Sequence, residues 1–191
     1  ESSAQGGKVE IPIALGSGAA SGAAGLVLKN VEDMAGKGMT LSVQVGNVSY
    51  NLPAASVDTS AVMDKLGAKN PSDVSFTVTV TQLSDSDVTV QNGKLVLPPV
   101  KFAVTASYNG QSAETSQFSS YVERVIAIPA GVDPTKITTA VVIDANGNER
   151  HIPTEVFVGS DGKYYAKINS LTNSVYVLVW HPMEFSDVTG H

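Results

Sequence analysis

The chain has 191 residues, with 12 Lys and Arg against 18 Asp and Glu, a net charge of −6 and no cysteine. An acidic chain with scattered cations lacks the concentrated positive charge that nucleic acids or anionic membrane surfaces require, and the missing thiols exclude disulfides, thiolate metal sites and cysteine nucleophiles. Hydrophobic residues at 42% can build a core, and abundant Val and Thr favour pleated sheet over helix.

In chain order, residues 1–8 are polar and glycine-rich and read as a linker. "KVEIPIAL" and "GLVLKNV" are expected as strands flanking a Gly/Ala/Ser loop over residues 16–25. Pro12 and several glycines interrupt this stretch, which reads as strand, loop and strand and not as a signal peptide or a membrane span. "MTLSVQVGNVSYNLP" alternates apolar and polar residues around Gly46-Asn47, the pattern of a tight hairpin ended by Pro53. "VDTSAVMDKLG" is the one expected helix, with Asp58 or Thr59 as cap, Val62, Met63 and Leu66 as its apolar stripe, and Gly67 as its stop. "DVSFTVTVTQL" places Val74, Phe76, Val78 and Val80 on one face of a strand.

Four further hairpins are expected. They are "VTVQNGKLVLP", "FAVTASYNGQSAET", "AVVIDANGNERHIP" and "EVFVGSDGKYYAKI", turning at Asn92-Gly93, Asn109-Gly110, Asn146-Gly147 and Asp161-Gly162. "VYVLVWHP" is apolar on both faces and reads as a central strand, with Tyr176, Leu178 and Trp180 on one side. The fold class that follows is mostly β: an antiparallel β-sandwich, or two small immunoglobulin-like sandwiches, with one short helix. Residues 9–119 form an N-terminal β-rich domain, and residues 120–184 a second one or the second half of the same domain. An echo of Ile-Pro strands, in "VEIPI" and "VIAIPAG", fits two related halves and equally fits Pro ending edge strands.

The residues for catalysis are sparse. His151, His181 and His191 are the only histidines, and the first two close strands. No nucleophile elbow, zinc-helix motif or phosphate loop occurs, so no enzyme activity and no cofactor are expected. Asp85-Ser86-Asp87 and the series Asp144, Asn146, Asn148 offer hard oxygens but lack the Gly-then-Glu continuation of a calcium loop. Both read as turns, as does "GVDPTKI" with its Asp133-Pro134 bond, and no metal is expected. Tyr108 beside a turn and Tyr164-Tyr165 at a hairpin are the candidate ring platforms for a glycan.

The last seven residues raise a different matter. Phe185, Asp187, Val188, Gly190 and His191 fall in the order Phe-x-Asp-Val-x-Gly-His, which resembles the opening of an S-layer homology domain. The run "GKYYAKINSLTNSVYVLVWHPMEFSDVTGH" looks like the segment that leads into such repeats in exported proteins of Gram-positive-type bacteria. The resemblance implies that residues 185–191 start such a repeat, and that the protein is secreted and held at the cell wall. Its partners would be other domains of the same surface protein, and the wall polymer reached through downstream repeats absent from this sequence. The reading is a non-catalytic structural or spacer module of an S-layer-associated surface protein. The alternative is a carbohydrate-binding module of an extracellular polysaccharide-degrading enzyme, with a polysaccharide as partner.

Overall fold

A computed structural model describes residues 6–91 and 93–181. The wall-repeat resemblance at Phe185–His191, most of the N-terminal linker and Asn92 lie outside the described residues.

β1 (Lys8–Ile13) is followed by β2 (Ser21–Val27), α1 (Leu28–Gly36), β3 (Thr40–Val45) and β4 (Val48–Pro53). Next come α2 (Thr59–Leu66), β5 (Ser75–Gln82), the short β6 (Lys94–Leu95), β7 (Val100–Tyr108) and β8 (Gln111–Glu114). β9 (Gln117–Ala127), β10 (Thr139–Ile143), β11 (Glu149–Ile152), β12 (Thr154–Val158), β13 (Tyr164–Thr172) and β14 (Val175–Trp180) complete the order. The fold is mostly β and sandwich-like. One sheet runs β1-β3-β4-β9-β13-β12, and the other runs β11-β10-β14-β7-β5-β2, with β6 added to β14 and β8 to β7. Pairing is antiparallel except for β1 beside β3, which is parallel because the chain crosses to the second sheet and through α1 between them.

Residues before and after position 120 feed both sheets and one continuous core. Leu41, Val43, Tyr50 and Leu52 from the first sheet meet Phe76, Val78, Phe102 and Val104 from the second, with Val122, Ile168, Tyr176 and Leu178 in the same cluster. Val74, Phe76, Val78 and Val80 are all buried, as the alternation of "DVSFTVTVTQL" requires. β14 lies inside the second sheet between β10 and β7 and is apolar on both sides. Tyr176 and Leu178 enter the main core, while Val177 and Val179 join Val141 in a smaller outer cluster.

The expected helix is present: Asp58 accepts from Ala61 N at 2.9 Å, Val62 and Leu66 are buried, and Gly67 closes it at φ 63°. The hairpins at Gly46-Asn47, Asn109-Gly110, Asn146-Gly147 and Asp161-Gly162 also form. Asn109 and Gly110 have φ of 53° and 79°, the left-handed pair that a two-residue turn demands.

Two expectations are corrected. The stretch "GLVLKNV" is strand only as far as Val27: β2 begins earlier, at Ser21 inside the Gly/Ala segment read as loop, and a second helix begins at Leu28. Leu28, Val31 and Met34 recur every three residues and bury one helical face, while Lys29 bonds Asp33 at 2.7 Å across one turn. β2 is built of small residues for a steric reason: a Cβ on Gly22 would sit 2.7 Å from Val45 Cγ1. The second correction concerns "VTVQNGKLVLP", which does not fold on itself. β6 pairs with Val179 and Trp180 of β14, and Val88, Val90 and Leu95 cover the outer cluster of Val141, Val177 and Val179. The apolar alternation of that segment serves burial of a neighbouring sheet face.

Candidate functional site

β9 divides its side chains between two environments. Val122, Arg124 and Ile126 point between the sheets, and Tyr121, Glu123 and Val125 point outward from the first sheet. Arg124 is 0% exposed. Its Nη1 donates to the Val122 carbonyl at 2.8 Å, and its Nη2 to the Thr172 carbonyl at 2.7 Å and to Asn173 Oδ1 at 2.9 Å. Nε has no hydrogen-bond partner among the described residues. Three rings surround the guanidinium, with centroids 4.4 Å away for Tyr176, 5.2 Å for Phe102 and 5.3 Å for Tyr50.

No carboxylate forms an ion pair with Arg124 among the described residues. The charge is balanced instead by carbonyl dipoles and by the negative faces of the rings. Burial pulls the guanidinium below its ordinary pKa, yet a group of this basicity stays protonated. The same burial pushes the Tyr50 phenol well above its ordinary value, and Tyr50 donates to Asn173 Oδ1 at 2.8 Å. Asn173 thus accepts from both Arg124 and Tyr50, and Tyr176 closes the ring of contacts by donating to the Thr172 carbonyl. The cage joins β4, β7, β9 and the β13–β14 connection. It has no solvent-facing opening on Arg124 and reads as a structural clasp.

The outward side of the first sheet is chemically different. Ser42 Oγ donates to Asn51 Oδ1 at 2.6 Å, and Asn51 Nδ2 donates to Glu123 Oε1 at 2.8 Å, a polar ladder across β3, β4 and β9. Asn169 pairs opposite Glu123, and Lys167 opposite Glu155, whose carboxylate is 2.5 Å from its amine. Phe157 and Tyr165 stack across β12 and β13 with centroids 5.6 Å apart. At the other end Tyr121 is 65% exposed and borders a shallow cleft of about 370 Å³ with Pro153, Thr154, Glu155, Lys167 and Asn169.

The three tyrosines singled out in the sequence do not form one platform. Tyr165 is on this outward face, its hydroxyl bonded to Asp161 at 2.5 Å. Tyr164, its neighbour, necessarily points the other way and is 45% exposed beside Pro129, Val132 and Pro134, in a groove of about 590 Å³. Tyr108 is half-buried at the far end of β7, packed against the core. Tyr121 and Phe157 were not expected at a site, although both lie at the outward phase of strands whose alternation is visible in the sequence. Arg124 was not expected either, although it stands in phase with Val122 and Ile126 and so faces the interior.

The remaining candidates resolve as local structure. Asp144 accepts from Asn146 N, Asn148 N and Asn148 Nδ2, which holds its carboxyl below the usual range. Asp133 caps the turn at Pro134–Lys136, and Ser84 with Asp87 forms a capping box at Asp85–Asp87. His151 and His181 are exposed, with rings 6.3 Å apart. Trp180 is half-buried, with the amines of Lys136 and Lys94 at 5.6 and 6.0 Å from its ring centroid. Among the described residues no group of three or more His, Asp or Glu converges to hold a metal, and no helix is long and apolar enough to cross a membrane. Comparison of the chain with protein-family models, curated proteins and solved structures finds no match.

Proposed function

We propose that this chain is a non-catalytic structural module of a secreted, wall-anchored bacterial surface protein, holding neighbouring domains of that protein apart. The observation that carries the reading is the single core shared by strands from both halves, clasped at Arg124. A body in which both halves contribute to both sheets transmits force without a hinge between them, which is what a spacer requires. The resemblance of Phe185–His191 to the start of a wall-anchoring repeat supplies the location and the company, with the wall polymer bound by repeats downstream.

Fractionation of the source cells with antibody raised against residues 6–181 tests this. The reading expects the antigen in the wall fraction, as part of a longer polypeptide, released by denaturants that strip surface layers. Antigen confined to the cytosol would end it.

A further inference from the structure

Three features outside the clasp present groups to solvent. The groove beside Tyr164 is apolar, but nothing in the structure indicates what would cover it. The His151–His181 pair brings two imidazoles together, with no third ligating group converging on them among the described residues. The outward face of the first sheet carries more, because its rings, its hydrogen-bonding groups and its charge balance all favour the same kind of ligand.

We propose that this face binds a neutral saccharide chain, seated against Tyr121 and extending along β13 toward Phe157 and Tyr165. An exposed aromatic ring offers a flat apolar surface to the C–H face of a pyranose, and Tyr121 is 65% exposed at the mouth of a cleft. Polar groups within that cleft, from Thr154, Glu155, Lys167 and Asn169, can donate to and accept from sugar hydroxyls. Tyr165 pairs with Ala127, six positions along β9 from Tyr121, which places the two ring sites roughly 20 Å apart at strand rise. That span accommodates several linked sugars, with Asn169 and Lys167 between the rings on the same face.

The charge arrangement selects neutrality. Lys167 is paired with Glu155, and Glu123 is held by Asn51, so the charged groups already have partners. An anionic polymer would meet two carboxylates against one amine, on a chain of net charge −6. A polyhydroxyl ligand needs no such partner displaced. This inference stands apart from the spacer reading, since a rigid module can carry a ligand on one face.

The test is affinity electrophoresis of the full chain through gels containing soluble xylan, hydroxyethyl cellulose, starch or mannan, beside polygalacturonate as an anionic control. Retardation is expected in at least one neutral gel. It should weaken at least tenfold in Tyr121→Ala, at an exposed position where the fold has little to lose, and stay unchanged in Tyr108→Ala. Far-ultraviolet dichroism of each variant confirms folding. Absence of retardation in all four neutral gels overturns the proposal. So does retardation that Tyr121→Ala leaves intact, or retardation by polygalacturonate alone.

Discussion

On the inner side of β9, a fully buried cation sits among aromatic rings and carbonyl oxygens; on its outer side, three residues along the strand, an exposed tyrosine borders a cleft of paired charges. Both arrangements use an aromatic ring near a basic side chain. They differ in solvation, and this decides their consequences. Inside, each hydrogen bond to Arg124 replaces water that cannot return, so losing a partner exposes the full desolvation cost. Outside, water re-solvates whatever is removed, and the Lys167–Glu155 pair contributes little to stability. Stability therefore depends far more on the inner side than on the outer side, which leaves the outer side free to carry the proposed ligand.

The sharpest way to break this comparison is Arg124→Ala. It empties the cage and takes one of two donors from each of the Thr172 carbonyl and Asn173 Oδ1, and the cavity with the lost hydrogen bonds gives an expected loss of about 3–5 kcal/mol in urea denaturation. Arg124→Met keeps most of the volume and removes the charge, and should cost clearly less. If the two substitutions cost the same, the cage is not an electrostatic clasp. Gly22→Ala comes next: a methyl group 2.7 Å from Val45 Cγ1 overpacks the β2 contact, for about 1–3 kcal/mol.

Tyr50→Phe removes one buried hydrogen bond while Arg124 still holds Asn173, for about 1 kcal/mol at neutral pH. The same variant has a signature in alkali. Burial raises the Tyr50 pKa in the folded state, so its stabilising contribution is present below the unfolded value near 10 and is lost as pH rises beyond it. Stability of the parent chain should fall above about pH 10, and less steeply in Tyr50→Phe, as urea midpoints across that range would reveal. The smallest effect belongs outside: Lys167→Met should leave the urea midpoint nearly where it stands in the parent chain. A larger loss there would erase the distinction between the two sides.

How much of this was legible in the sequence depends on the range of the determinants. The turns at Asn109-Gly110 and Asp161-Gly162 could be read because left-handed backbone is a local demand, and the burial of Val74 through Val80 because period two is local as well. α1 was missed because its stripe of Leu28, Val31 and Met34 crosses the edge of a short apolar run that mimics a strand. The Gly/Ala tract of β2 looked like a loop because small residues signal flexibility in isolation, whereas here they answer to Val45 and Ile13 across the sandwich. The same holds for "VTVQNGKLVLP", whose partner is β14, some eighty residues away in sequence. The site divides similarly: Tyr165 was found from its hairpin, but its grouping with Phe157, Lys167 and Tyr121 follows from strand pairing that no single segment encodes.

Two sheets and one core shared by both halves of the chain imply that they unfold as one cooperative body. Urea denaturation followed together by Trp180 fluorescence and by far-ultraviolet dichroism tests it most directly, since Trp180 reports the end of β14 and dichroism reports all strands. Coincident transitions with one midpoint are expected. Two separated transitions, with Trp180 reporting only one of them, would contradict it.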